Sequence, residues 1–153
     1  MPRPKLSPIN ELSATLPSLS VNEKLARSLV SGFVSLFDPR LDELNDIKTS
    51  VSEAVTNCIV HAYRDSVGPI ELTIRAYGSG VIYIKIKDKG CGIADIRQAM
   101  EPMYTSLPGE ERSGLGFSVM ESLCDSVEVK SRPGAGTTVV LRKRIKSRME
   151  YAH

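Results

Sequence analysis

The chain reads VIYIKIKDKGCGI over residues 81–93, and this stretch does most to decide the fold. Its isoleucines alternate with polar residues up to Asp88, which is the period of a strand with one buried face. Residues 69–77 alternate in the same way, and a Gly-Ser-Gly sequence separates the two runs, so we predict a β-hairpin. The second strand of this hairpin ends in a carboxylate that two glycines closely follow.

Helical and strand patterns surround the hairpin. We predict helices over residues 22–37 (with Asn22 as the cap), 41–63 and 115–123, and further strands over 9–16 (an edge strand), 127–131 and 137–144. Helices that precede a largely antiparallel sheet are typical of an α+β fold. We therefore expect a two-layer α/β sandwich, in which a mixed, mostly antiparallel sheet is covered by helices on one face.

The composition indicates one soluble domain. Of 153 residues, 41% are hydrophobic and 25% charged, and the net charge of +2 is too small to indicate a nucleic-acid partner. Three cysteines without a CxxC pair indicate neither a disulfide framework nor a zinc site. No apolar run approaches the ~20 residues of a membrane span, and no signal-peptide core is present. We expect a cytoplasmic domain over residues 9–145, between a flexible segment (1–8) and a basic tail (146–153).

Three polar residues recur at every fourth position of the predicted long helix: Glu53, Asn57 and His61. They form one stripe roughly opposite the apolar stripe, and such a stripe is either a solvated face or part of a site. In a site, Asn57 would offer an oxygen to Mg²⁺, which prefers oxygen ligands, and Glu53 would lie near a reacting phosphate. For His61 we expect a structural or surface role.

Asp88, Gly90 and Gly92 form a second candidate group. The sequence Asp-Lys-Gly also suits an ordinary turn. In a site, Asp88 would accept a hydrogen bond from the amino group of adenine and repel the carbonyl of guanine, which would select ATP over GTP. The two glycines would remove side chains where a base lies against the backbone.

A further glycine pair opens the predicted helix at residue 115, in the sequence Ser113-Gly114-Leu115-Gly116. Free backbone N–H groups and the positive helix end would face an anion there, such as a phosphate. Arg112 would either reach a terminal phosphate or a partner, or lie on the surface. The chain contains no Walker A sequence and no HRD or DFG triplet, so it is neither a P-loop protein nor an ordinary protein kinase.

Thr137 is either an ordinary strand threonine or a hydroxyl placed near the edge of the base. The order and spacing of all these groups together predict an ATP site. The polar segment 101–112 is long enough to be a lid over it.

Four runs of sequence resemble the GHKL ATPase superfamily, which includes gyrase, Hsp90, MutL and histidine kinases: SEAVTNCIVHAY (52–63), DKGCGI (88–93), ERSGLGFSVME (111–121) and GTTVVL (136–141). Within it, the chain is similar to the anti-sigma factor serine kinases of endospore-forming bacteria over nearly its whole length. The resemblance implies a Bergerat ATP-binding fold and a homodimer. It also implies inhibition of a sporulation sigma factor (sigma-F type) and Mg·ATP-dependent phosphorylation of a serine on an anti-anti-sigma protein.

The resemblance also implies roles for individual residues. Glu53 matches the general base and Asn57 the Mg²⁺ ligand, while the adenine site is matched by Asp88, Gly92 and Thr137. Gly114 to Gly116 match the phosphate loop, Arg27 a residue at the partner surface, and Arg112 a residue between nucleotide and partner. In histidine-kinase relatives the corresponding Glu serves the metal, so Glu53 is the base, a metal partner, or both.

Other functions stay open from the sequence. The chain would also suit an anti-sigma kinase of another stress-response sigma factor, or a module that binds ATP and partners without phosphoryl transfer. A histidine-kinase fragment would need a phosphoaccepting histidine on a helical hairpin, and neither His61 nor His153 has that context. A plain ATPase of the gyrase type would need a transducer domain, for which the chain is short.

Overall fold

The structure is a computed structural model that describes residues 7–100 and 116–146. Its elements follow the chain in this order: β1 (Asn10–Pro17), α1 (Val21–Ser35), α2 (Leu41–Thr56), a π-helical segment (Asn57–Ala62), β2 (Pro69–Ala76), β3 (Val81–Asp88), α3 (Ile96–Ala99), α4 (Phe117–Leu123), β4 (Ser126–Arg132) and β5 (Gly136–Arg144). The α+β class is confirmed. The short helix α3 was not predicted.

The strands form one sheet in the order β1-β2-β3-β5-β4. Each neighbouring pair among the described strands is antiparallel, so the parallel component that a mixed sheet requires is absent from this part of the chain. The predicted hairpin is confirmed as β2–β3, with Ile74 opposite Ile84. β1 lies at the edge of the sheet, as its pattern indicated.

Strand alternation places the apolar side chains on the face that packs against the helices. Ile74, Ile84 and Leu141 are buried there, and α1 and α2 contribute Val34 and Val51, which are fully buried. Each such side chain stabilises the fold by about 1.5–3 kcal/mol through the apolar surface that it removes from water.

The other side of the sheet, which we call the open face, carries polar side chains. Tyr83 lies there between the guanidinium groups of Arg75 and Arg142, at 5.2 and 5.3 Å from its ring centroid. The predicted two-layer arrangement is thereby confirmed, and the helices of the described residues lie on one face of the sheet.

Two details of the helices differ from prediction. α1 begins at Val21 with Ser20 as its cap, whereas the Asn22 side chain donates to the Pro17 carbonyl at 2.9 Å, so Asn22 is not the cap. The helix predicted over residues 41–63 changes from α to π geometry at Asn57. Hydropathy patterns do not distinguish these two geometries, because both bury one side of the helix.

The segment predicted as a lid, 101–112, lies outside the described residues, as do 1–6 and 147–153. Residues 7–100 and 116–146 include no helix with the length and apolarity that a bilayer crossing requires.

Candidate functional site

A cavity of about 240 Å³ lies between the π-helical segment, the loop after β3 and the start of β5. Four of its lining residues were predicted as site residues: Asn57, Asp88, Gly92 and Thr137. They come from three elements far apart in sequence, and the fold of the sheet brings them together.

Asp88 is the charged centre of the predicted base site and is 4% exposed. Its Oδ1 accepts hydrogen bonds from the backbone N–H groups of Gly90 at 2.9 Å and Thr137 at 3.1 Å. Burial raises the pKa of this carboxyl, while the hydrogen bonds from Gly90, Thr137 and the Cys58 thiol oppose the rise. The result is a carboxylate in a fixed orientation at the cavity wall.

The glycines of this region permit close approach between backbone segments. A Cβ on Gly90 would overlap the Ala62 carbonyl, and one on Gly92 would overlap the carbonyl of Arg132. Gly92 also has a φ of +75°, which favours glycine. The missing side chains of both glycines therefore make room for the protein's own backbone. The predicted space for a base stays a prediction, and Gly92 also lines the cavity.

Thr137 belongs to a hydroxyl network that joins the β3 loop to β4 and β5. Its Oγ1 lies 2.7 Å from the Oγ of Ser131, which accepts from the Ile93 N–H at 2.7 Å and donates to the Gly136 carbonyl at 3.0 Å. Ser131 was missed by the sequence analysis. Its position opposite Thr137 depends on the register of β4 and β5, which the sequence pattern does not fix.

The π-helical segment also lines the cavity and is tied to the loop after β3. The Ala62 carbonyl accepts from the Cys91 N–H at 3.0 Å. The Tyr63 hydroxyl accepts from the Lys89 N–H at 2.7 Å and donates to the Pro69 carbonyl at 2.6 Å. Burial raises the pKa of the Tyr63 phenol, so it stays a neutral donor. Single π-helical turns occur frequently at functional sites.

His61 is 6% exposed and lines the cavity. Of the two predicted locations, structural or surface, the structure therefore excludes the surface. Cys58 and Arg64 also line the cavity. The sequence pattern places Cys58 on the apolar stripe of the long helix and gives Arg64 no role. The Arg64 Nε donates to the His61 carbonyl at 3.3 Å from a backbone with a φ of 34°. The residues next to Arg64 in the sequence do not indicate that it would adopt a positive φ or donate to the His61 carbonyl.

Glu53 lies one helical turn before Asn57 and is half-buried. Gly116, the residue before α4, packs against it, because a Cβ on Gly116 would overlap the Glu53 carboxylate. The Gly116 backbone has a φ of +72°, which is a second reason for glycine. The structure therefore brings Glu53 beside Gly116, the last residue of the predicted phosphate loop. The other predicted residues of this loop (Ser113, Gly114 and Leu115) and Arg112 lie outside the described residues.

Arg27 does not line the cavity. It lies on α1, where its Nε is 3.0 Å from the Oε1 of Glu23, and that same oxygen accepts from the Ser52 hydroxyl at 2.6 Å. The guanidinium is partly exposed beside Lys24 and Lys48, on a basic surface between α1 and α2. Arg27 is thus separate from the cavity. It is nevertheless connected to the helix of Glu53, because Glu23 contacts both Arg27 and Ser52, and Ser52 directly precedes Glu53 in α2.

The oxygen donors of this site suit Mg²⁺ bound jointly with a phosphate ligand. No cluster of three or more His, Cys, Asp or Glu side chains that would hold a metal occurs in the described part of the chain. Mg²⁺ commonly takes one or two protein oxygens, keeps several waters and completes its shell with phosphate oxygens. The amide oxygen of Asn57 and the carboxylate of Glu53 are donors of that kind.

The fold and site define a class of protein. The family model described as histidine kinase-like ATPase domain matches residues 16–143, which is most of the chain.

Curated relatives narrow that class. The chain is 48% identical over 135 residues to the anti-sigma F factor of Clostridium beijerinckii, covering 88% of this chain and 94% of that protein. It is also 48% identical over 139 residues to the anti-sigma F factor of Thermoanaerobacter sp., covering 90% and 96%. The chain belongs to the family of anti-sigma F factors, a kinase-like branch of the ATPase class, and the resemblance found in the sequence is confirmed.

A solved structure shows the same fold. The RsbU and RsbW domains of a Mycobacterium tuberculosis protein match with a TM-score of 0.67 and 21% identity, covering 90% of this chain and 32% of that longer one. At this identity the match concerns the fold alone, and it confirms the predicted sandwich.

Proposed function

We propose that this protein inhibits a sporulation sigma factor of the sigma-F type and uses Mg·ATP to phosphorylate a serine on its anti-anti-sigma antagonist. The supporting observation is a set of neighbouring side chains: Asp88 and Asn57 line the cavity, and Glu53 lies one helical turn before Asn57, beside Gly116. The proposal places the protein in the cytoplasm as a homodimer.

Asp88 selects the base in this proposal. Its Oδ1 accepts from two backbone N–H groups, whereas Oδ2 is in contact with the weakly donating Cys58 thiol, so Oδ2 is the oxygen proposed to accept from the amino group of adenine. A carboxylate repels the carbonyl oxygen that guanine presents at the same place, which favours ATP over GTP. Thr137, Gly90 and Gly92 hold the surrounding backbone.

Asn57 and Glu53 act at the other end of the nucleotide. ATP supplies the phosphoryl group, and the amide oxygen of Asn57 would hold Mg²⁺, which would supply positive charge at the phosphates. Glu53 accepts the proton of the incoming serine, a step typically worth about 10²–10⁴-fold in rate. The backbone N–H groups of Ser113, Gly114, Leu115 and Gly116, together with Arg112, hold the phosphate charge.

Arg27 binds partners in this proposal. Its guanidinium is part of a basic surface on α1 and α2, which would attract an acidic segment of the sigma factor or of its antagonist. Because this surface is distinct from the cavity, binding of a partner and binding of ATP are separable properties.

Labelled ATP tests the proposed reaction. The protein, Mg²⁺ and the anti-anti-sigma partner are incubated with γ-labelled ATP, using wild type, Glu53→Gln and the matched control Glu128→Gln, whose carboxylate pairs with Arg142 on the open face. We expect acid-stable label on the partner with wild type and control, and about 10²-fold or more loss of rate with Glu53→Gln at unchanged ATP affinity.

Each alternative has its own outcome in that experiment. An active Glu53→Gln variant would remove the base assignment. Acid-labile label would indicate phosphohistidine, which the burial of His61 argues against. ATP and sigma-factor binding without any label on the partner would leave a binding module without transferase activity, and tight binding to a different stress-response sigma factor would change the partner.

A further inference from the structure

Cys58 lies against Asp88 in the wall of the cavity. Its side chain is 3% exposed, and its Sγ is 3.5 Å from the Asp88 Oδ2 and 3.4 Å from the Ala54 carbonyl oxygen. A thiol has one hydrogen, so these two acceptors compete for it. Burial and then the charge of Asp88 raise the pKa of the thiol well above its ordinary value, so this hydrogen is retained.

The two oxygens of Asp88 are engaged very differently. Oδ1 accepts from two backbone N–H groups, which fix the carboxylate without help from Cys58. Oδ2 is in contact with the thiol, which is a weak donor. Asp88 is 4% exposed, and an oxygen of such a buried carboxylate that only a weak donor engages gains most from a further donor, because unmet acceptors are costly in a buried site.

We propose that Cys58 is a specificity-determining residue: its thiol fills the wall beside Asp88 while leaving Oδ2 available to the exocyclic amino group of a 6-aminopurine nucleotide. This inference rests on the proposed function, which places adenine in the cavity. A hydroxyl at position 58 would donate a short, strong hydrogen bond to Oδ2 and compete with the ligand. A methyl group would donate nothing.

The other two thiols do not have this arrangement. Cys91 also lines the cavity, but its Sγ donates to the His61 carbonyl at 3.3 Å. Cys124 is partly buried outside the cavity, where its Sγ lies 3.3 Å from the Ser50 hydroxyl. Cys124 is therefore a matched control for a thiol-to-hydroxyl exchange.

The test measures the contribution of the ligand's amino group in each variant. Calorimetric titration with Mg·ATP and with the Mg²⁺ complex of purine riboside triphosphate, which lacks the 6-amino group, gives a ratio of dissociation constants. Wild type should bind ATP about tenfold or more tightly than the analogue, as is typical of a hydrogen bond to a buried charge. Cys58→Ser should lower this ratio about threefold or more, whereas Cys58→Ala should keep or raise it, and Cys124→Ser should match wild type.

If the role of Cys58 is purely structural, its substitution lowers the affinity for both ligands by the same factor, and the ratio of dissociation constants does not change. Equal ratios in all variants would therefore overturn the inference. A fall of the ratio in Cys58→Ala as large as in Cys58→Ser would also overturn it. Thermal unfolding identifies a misfolded variant, and if the serine variant does not fold, Cys58→Thr supplies the hydroxyl in its place, with the same fall of the ratio expected. If wild type itself does not distinguish the two ligands, the adenine site of the proposed function fails, and this inference with it.

Discussion

Burial of the Asp88 carboxylate costs free energy, and in the proposed function the same carboxylate selects the base of the nucleotide. In Asp88→Asn, the amide oxygen keeps the two backbone hydrogen bonds, and the amide nitrogen then takes the place of Oδ2. Two donors would meet at the amino group of adenine. We expect ATP affinity to fall about 10- to 100-fold, and the preference for ATP over GTP to shrink or reverse, in parallel titrations with both nucleotides. Unchanged affinity for ATP would show that the base lies elsewhere.

The same residue makes stability depend on pH. Because its pKa in the folded protein is raised above the ordinary 3.8, the folded state binds a proton more tightly than the unfolded chain does. The contribution of Asp88 to stability is therefore fully present below pH 3.8 and is lost as pH rises through the folded-state pKa.

Asp88→Asn should abolish that dependence. The unfolding free energy of the variant relative to wild type should rise between pH 3.8 and the folded-state pKa, and remain constant at higher pH. Urea unfolding at a series of pH values measures it, with Asp125→Asn as a control whose carboxylate accepts the exposed Arg144 N–H. A relative stability that falls over this interval would contradict the assigned direction.

At the scale of elements, the loop after β3 and the turn between β4 and β5 each contain a glycine with a positive φ, but only the glycine of the loop is also required by close packing. Gly92 and Gly134 have similar backbones, with φ of +75° and +78°, but a Cβ on Gly92 would overlap the Arg132 carbonyl, whereas nothing lies within 4 Å of one on Gly134. Gly134→Ala should therefore cost about 1 kcal/mol from the backbone alone. Gly92→Ala should cost about 2 kcal/mol or more beyond that and weaken nucleotide binding. Denaturant unfolding of both variants measures the difference, and equal losses would refute the packing explanation.

Local patterns predicted the elements well and their fine geometry less well. Alternation of isoleucines defined β3 and hairpin spacing defined β2, because the period of a strand is visible within a few residues. The change from α to π geometry at Asn57 is a shift of one backbone hydrogen bond, which leaves the apolar stripe intact. Asn22 is a good cap in isolation, but its side chain bonds to Pro17 instead, because β1 turns directly into α1.

At the scale of the whole molecule, the sequence predicted which residue types the site needs but not every contact between them. Asp88, Asn57 and Thr137 could be predicted because each belongs to a short recognisable run. The approach of Gly116 to Glu53, and the Ser131 network, depend on how α4 and β4 pack against distant elements. Such tertiary distances leave no periodicity in the sequence.

Because the cavity joins the π-helical segment, β3, β5 and the start of α4, a ligand bound in it should stabilise the whole domain. A nucleotide that binds only the folded state adds about 2.7 kcal/mol at 100 times its dissociation constant. For a domain of this size, that corresponds to a rise in Tm of about 5–10 °C. Differential scanning fluorimetry with and without Mg·ATP measures it, with Asp88→Asn at the same nucleotide concentration as the control that should shift much less. Equal shifts in both proteins would place the nucleotide outside this cavity, since Asp88 is the carboxylate among its described lining residues.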